Sequence, residues 1–476
     1  MRPESPLPER QLSRRTAALV PAVTALAIGL WGIRRGGTLW GDEAVTYEIA
    51  HRSVPEIWHT LANADVVHGL YYFLMHAVFA LWDGDLVALR LPSILATAAA
   101  AGAVALLGHR LAGPRAGLLA GLVLPLLPNV QRFAQEGRSY ALVCALVAWG
   151  TCLLLDACDD GLSGKRAWAG YAAAMLGACL LHEFAVLALL AHGVTVWRSG
   201  LSRPVVRAWG TAAGSVAVGL APLALFSATQ SAQVDWIGDP GAYELLVFAA
   251  TALLGLACAR VPTRPHGPIR LHSLALPLLV LPTALLMLLS PLRQLYVDRY
   301  VLFTAIGLAL LAGAVLDRFW RPTVAAATAV GALVALLPVG LELRVPESRK
   351  NDVFAVARAV REAGEPGDGL LFTPARRRVW TLAAPDDFRG LEDLSLERSP
   401  VASNTLFGAE LPPDLIRARM LAAQRIVVVH DVSGQPLDAI EQEAVKRAVL
   451  RAHFEACGTS RVTQAQITVY ARPGAC

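Results

Sequence analysis

The sequence predicts a mainly α, polytopic helical membrane protein with about eleven transmembrane helices. A small α/β domain outside the membrane is expected to follow them. Three observations predict this class. The 476 residues are 55% hydrophobic and only 17% charged, with a mean hydropathy of +0.49. A soluble domain carries roughly 25% charged residues, and one core cannot hide so large an apolar excess. The apolar residues recur in runs of about 20, the length that crosses a bilayer. After residue 341 the composition shifts to a segment rich in acidic residues with no spanning run.

Taken in order, residues 1–15 are polar and basic, which places them in the cytoplasm. The apolar run at about 16–35 has no small-residue cleavage site after it and reads as an uncleaved anchor. Residues 36–85 are then outside. Within them Gly69–Leu81 is short for a span and reads as an interfacial helix, with Tyr71 and Tyr72 at the headgroup level. Charge supports that choice. If 69–81 crossed the membrane, the arginines of every later loop would lie outside; if it does not, Arg110–Arg115, Lys165-Arg166, Arg198–Arg207, Arg260–Arg270 and Arg318–Arg321 fall inside. Spans follow at roughly 86–108, 114–131, 139–157, 166–181, 183–198, 206–227, 243–259, 272–291, 299–317 and 322–341. The N-terminus is then cytoplasmic and the C-terminus outside, in a multi-pass protein of the cytoplasmic membrane.

This gives a transmembrane domain at 1–341, with the outside loop 36–85 as its chemical part, and an extracytoplasmic domain at 342–476. In the latter, 351–363 has helical spacing. Residues 369–372 and 425–429 read as strands, the second buried on both faces by its Val and Ile. A helix is expected at 437–454 and an alternating strand at 462–471. No phosphate-binding glycine pattern occurs there, so the domain reads as a lid or docking module.

The net charge of +5 comes from arginines in short clusters, with lysine only at 165, 350 and 446. That pattern fits topology rather than nucleic-acid binding. The seven cysteines lie mostly in apolar runs, form no CxxC pair and read as small hydrophobes. Cys457 and Cys476 can pair if the tail is outside the cell. His76, His192, Trp168, Trp197 and Trp209 read as interface anchors.

The chemistry-bearing residues collect on the outside. They are Asp42-Glu43, Asp65 to His68, Gln135 to Tyr140, His182-Glu183, Gln233 to Trp236, and Asp298-Arg299-Tyr300. Carboxylates are expensive near hydrocarbon, so an acidic pair at that depth is a functional candidate. The bland alternative is a solvated loop start. Guanidinium forks match phosphate oxygens. Snorkelling is the alternative for Arg132 and Arg293, and is less apt for Arg138, which opens a span from a dense polar cluster. Asp65, His68, Tyr71 and His182 are substrate or metal candidates; a capped helix start is the alternative for Asp65 and His68. A carboxylate with arginines on the outer face suggests group transfer from a lipid-linked donor. A transporter would place charges near the midplane, and few occur within 86–131 or 299–341. A scaffold built around 342–476 is the remaining class.

Six motifs then carry a resemblance: GDEAVTYEIA at 41–50, VVHGLYYFLMH at 66–76, ALRLPS at 88–93, GHRLAGPRAGLLAG at 108–121, QRFAQEGRSYAL at 131–142 and YVDRYVLFTAIGLALL at 296–311. In order and spacing the chain resembles the membrane-embedded glycosyltransferases of the GT-C fold, near the protein O-mannosyltransferase and aminoarabinose-transferase branch. The resemblance implies Asp42 as catalytic base, with Glu43 the second acid of the motif. It implies that Arg138 is required and that Arg299 contacts the lipid phosphate, with Glu136 and Tyr300 beside them. It implies a polyprenyl-phosphate sugar donor, with mannose first and arabinose, aminoarabinose or glucose as alternatives. The acceptor is a glycan, a lipid or a protein. A divalent cation is a possible cofactor. Many relatives have two prolines after the residue matching His68, where this chain has Gly69-Leu70, which leaves sugar and acceptor open.

Overall fold

The computed structural model describes residues 13–159, 165–231, 237–263, 267–381, 383–432, 434 and 438–476. The expected loop Gln233 to Trp236, residues 1–12 and the first residue of the expected 437–454 helix lie outside the described residues. The chain divides into two compact units, one of residues 1–31 and 90–341, the other of 32–89 and 342–476.

Fifteen helices are described up to residue 342. The first eight are α1 (Arg14–Leu30), α2 (Gly41–Ala50), α3 (Val54–Asn63), α4 (Gly69–Leu81), α5 (Asp85–Ala112), α6 (Pro114–Val123), α7 (Pro128–Ala134) and α8 (Tyr140–Cys158). The others are α9 (Lys165–Leu181), α10 (Val186–Arg198), α11 (Arg203–Thr229), α12 (Ala242–Ala259), α13 (Leu271–Leu289), α14 (Ala305–Arg318) and α15 (Pro322–Glu342). Each expected span overlaps one of them, except 114–131, which falls on two. Among the described residues seven helices are long and apolar enough to cross a membrane, and up to eight if a bent pair counts as one. The chain is a multi-pass membrane protein. The bent pair is the expected 114–131 span, broken by 65° between Leu126 and Pro128. Pro125 and Pro128 each remove a backbone donor there, so the helix cannot run through.

In the first unit small residues bring backbones together, as membrane helices require when lipid offers no hydrophobic drive. A Cβ on Gly313 of α14 would lie 2.5 Å from the Ala120 nitrogen of α6. His192, expected at an interface, is fully buried instead. Its ring nitrogens pair with the Thr151 hydroxyl at 3.1 Å and the Tyr171 hydroxyl at 3.0 Å, which links α8, α9 and α10.

In the second unit α2, α3 and α4 share a core of Ile49, Ile57, Leu61 and Tyr72, with Val45, Phe73 and Leu406 against it. Tyr71 and Tyr72 are fully buried, not at a headgroup surface as expected. The expectation treated α4 as an isolated helix; packing against α2 and α3 turns its aromatic face inward.

The C-terminal segment adds four helices, α16 (Val353–Ala363), α17 (Pro400–Ser403), α18 (Pro413–Ala422) and α19 (Glu441–His453). Its strands are β1 (Gly369–Thr373), β2 (Glu392–Asp393), β3 (Leu396–Arg398), β4 (Ala409–Glu410), β5 (Arg425–Asp431), β6 (Glu455–Val462) and β7 (Ala465–Ala471). The main sheet has the order β2-β1-β5-β7-β6. β1 runs parallel to β2 and β5, and β7 antiparallel to β5 and β6. Ile426 to Val429 are buried, as the Val/Ile run predicts. β6 was not anticipated. Its sequence EACGTSRV lacks apolar alternation, and it is an exposed edge strand held by pairing to β7. Cys457 and Cys476 form a disulfide from β6 to the tail.

Candidate active site

The second unit holds the acidic pair. Asp42 and Glu43 lie in the first turn of α2, where the helix dipole favours negative charge. Their surroundings differ. Glu43 is fully buried; its Oε2 accepts the Trp40 amide at 3.2 Å and lies 3.9 Å from Nη1 of the equally buried Arg35. Asp42 is half-buried, and its carbonyl accepts the Thr46 hydroxyl at 3.3 Å. One turn on, Glu48 is buried against Arg52, whose Nε donates to Glu48 Oε1 at 2.7 Å. Burial pushes the Glu48 carboxyl up to about 7 in spite of that arginine.

Asp65 occupies the left-handed region at φ 58°, which an Asp tolerates better than most residues. It precedes a short 3₁₀ turn over Val66–His68, and its carboxylate accepts the Tyr72 hydroxyl. His68 is buried, with its ring edge-on to Tyr72 at 6.3 Å. Asp65 and His68 thus meet around Tyr72, on the turn that leads into α4, and Tyr71 is the next residue of that helix.

The first unit holds the arginines. Glu136 and Arg138 sit in the loop between α7 and α8, and both are buried. Ser93 of α5 fixes that loop by donating to the Glu136 carbonyl at 2.6 Å and to the Arg138 carbonyl at 3.1 Å. Gln135 Nε2 donates to the Gly29 and Trp31 carbonyls at the end of α1, each at 2.7 Å. Arg132 Nε lies 3.8 Å from Glu136 Oε1. Ahead of α14, Arg299 Nε donates to the Tyr140 hydroxyl at 3.0 Å, and its guanidinium lies over the Tyr140 and Tyr300 rings. Tyr300 packs on His182 at 4.4 Å and on Phe184 at 5.5 Å. Arg299, Tyr300 and His182 are therefore brought together around Tyr140, the first residue of α8. Among the described residues no group of three or more His, Cys, Asp or Glu is placed to hold a metal ion.

Solved structures share this architecture. The chain is similar to ArnT from Cupriavidus metallidurans bound to undecaprenyl phosphate, with a TM-score of 0.58 and 13% identity over 94% of this chain and 97% of that one. It is similar to the arabinofuranosyltransferase AftD from Mycobacteria, with a TM-score of 0.54 and 17% identity over 97% of this chain but 40% of that one. The Archaeoglobus fulgidus oligosaccharyltransferase in complex with Zn and sulfate matches with a TM-score of 0.50 and 12% identity, over 87% of this chain and 68% of that one. This chain has the GT-C fold. No protein-family model and no curated protein matches its sequence.

Within this GT-C chain, sequence reasoning missed Arg35, the Glu48–Arg52 pair and Ser93. The i,i+4 spacing of Glu48 and Arg52 is a legible helical ion-pair signal. Ser93 lies inside the quoted motif ALRLPS without standing out in it. Nothing in the sequence pairs Arg35 with Glu43.

Proposed function

We propose that the chain is an inverting glycosyltransferase that moves a sugar from a polyprenyl-phosphate donor to an acceptor hydroxyl outside the cytoplasmic membrane. Asp42 is the base. The acceptor oxygen attacks the anomeric carbon from the face opposite the phosphate, and a bond forms there. The carbon–oxygen bond to phosphate breaks, polyprenyl phosphate leaves with the electron pair, and the acceptor proton passes to Asp42. A phosphate is already a good leaving group, so one carboxylate suffices, and single displacement inverts the centre. Base catalysis of this kind contributes roughly 10²–10⁴-fold. Arg138 and Arg299 pair with the donor phosphate and supply charge stabilisation, with Glu136 and Tyr300 setting their surroundings. Asp65, His68, Tyr71 and His182 contact substrate.

The observation that carries this reading is the division of the acidic pair. Glu43 is fully buried against Arg35 and the Trp40 amide, whereas Asp42 is half-buried and so within reach of an acceptor hydroxyl. The GT-C fold supports the reaction class. The Cys457–Cys476 disulfide supports an extracytoplasmic C-terminal domain, since disulfides persist in oxidising compartments. With positive charge between the spans, it supports a cytoplasmic N-terminus.

Mannose is the first donor sugar proposed. The likeness to ArnT and to an arabinofuranosyltransferase favours a second reading, in which the donor carries arabinose or aminoarabinose. The test is transfer in membranes from radiolabelled polyprenyl-phosphate mannose, comparing the wild type with Asp42→Asn at matched expression. Transfer by the wild type alone is the expected result. Wild-type rates from Asp42→Asn would overturn the base assignment. Transfer only from the pentose donors would select the second reading.

A further inference from the structure

The helix that carries Asp42 begins at a residue that cannot cap it. The first turn of any helix leaves backbone N–H groups without intrahelical partners. Ser, Thr, Asp or Asn at the N-cap normally satisfies one of them. Here the N-cap of α2 is Trp40, whose side chain has a donor and no acceptor. Glu43 turns back to take the Trp40 amide, which is half of a capping box. A further orphan amide of the first turn, that of Gly41, is taken by the far end of the chain.

Asn351 Oδ1 accepts the Gly41 amide at 2.7 Å, from 310 positions away in sequence. Its neighbour Asp352 accepts the Leu39 amide at 3.2 Å, and the Val353 amide donates to the Leu39 carbonyl at 2.8 Å. The same Asp352 oxygen accepts the Phe354 amide at 3.1 Å as the N-cap of α16. Two adjacent residues thus start two helices. The approach is close: a Cβ on Gly41 would lie 3.2 Å from Asn351 Oδ1 and 3.4 Å from Trp380 Nε1. Past the other end of α2, Arg52 Nη2 donates to the Thr405 carbonyl at 2.9 Å while its Nε holds Glu48. Residues from the 342–476 segment therefore hold α2 at both ends.

We infer that Asn351 and Asp352 are positioning residues for Asp42, and that the C-terminal domain is a working part of the reaction through them. The role rests on the reading of Asp42 as the base. The chemistry of residue 351 suits it. A carboxamide supplies an acceptor to the Gly41 amide without adding a charge to a turn that already carries Asp42, Glu43 and Asp352. Asn351→Asp keeps the acceptor.

The test uses the full-length chain in detergent with Asn351→Ala and Asn351→Asp. Hydrogen exchange is followed at the amides of 39–44, and transfer from a labelled polyprenyl-phosphate sugar across pH. In Asn351→Ala the Gly41 amide loses protection. kcat falls on the order of 10²-fold, the loss that a misplacement of about 1 Å brings, while the KM for donor stays within about twofold, since uniform binding is untouched. Asn351→Asp restores protection and most of kcat. Unchanged exchange at Gly41 in Asn351→Ala overturns the cap. A lower kcat that Asn351→Asp does not rescue, or that comes with an equal rise in KM, overturns the positioning role. A wild-type chain that transfers no sugar overturns the reading of Asp42, and the exchange measurement then still decides the cap on its own.

Discussion

Arg35 and Glu43 lie 3.9 Å apart with both side chains withdrawn from solvent, whereas the neighbouring Asp42 is half-buried. The two acids should respond differently to mutation. Removing one partner of a buried pair leaves an uncompensated charge and costs roughly 3–5 kcal/mol. Glu43→Ala is therefore expected to lower the unfolding temperature of the purified protein by several degrees. Asp42→Asn should leave it unchanged while transfer is lost. Equal Tm losses from the two variants would refute the division.

Glu48 makes stability depend on pH. Burial raises its folded pKa from 4.5 to about 7. A group whose folded pKa is raised contributes stability below its unfolded pKa, and that stability is lost as pH rises through the folded value. The loss falls between about pH 4.5 and 7. Glu48→Gln removes the ionisation, so its stability relative to the wild type should rise between pH 4.5 and pH 8, by on the order of 2–3 kcal/mol. A Tm difference that does not vary with pH would contradict this.

Lys446 is fully buried in the C-terminal domain. Its Nζ donates to Glu410 at 2.8 Å, Glu443 at 2.9 Å and the Phe372 carbonyl at 3.0 Å. Lys446→Met strands the buried Glu443 carboxylate, while Glu410 keeps Arg378 at 2.6 Å, and should destabilise the domain by about 3–5 kcal/mol. Adding Glu443→Leu should recover part of the loss. Thermal unfolding of the two variants measures both effects.

Arg299 bonds Tyr140 through Nε and lies over two aromatic rings, an arrangement that a lysine cannot reproduce. Arg299→Lys keeps the charge and loses the fork. It is expected to lower kcat/KM for the polyprenyl-phosphate donor on the order of tenfold, a loss that steady-state assays over a donor series would register.

Much of the helical plan was legible because hydropathy is a local property. A run such as Tyr140–Cys158 declares its length and polarity without reference to any other residue. The β5 strand was legible for the same reason, through its uninterrupted Val and Ile. The β6 strand was not, because pairing with β7 and not composition makes it a strand. The site was legible as a set of positions. Arg299-Tyr300 and His182 were singled out in separate loops, and the structure gathers them around Tyr140.

By itself the sequence determined which segments are apolar enough to span and where the acidic pair falls, because transfer free energy is summed along the chain. Tertiary structure decided that Tyr71 and Tyr72 are buried, that Glu43 is neutralised by Arg35, and that Asn351 caps the helix of Asp42. Each of these depends on a partner that sequence does not announce. Burial and hydrogen bonding are set by neighbours in space, and Asn351 stands 310 positions from Gly41 along the chain.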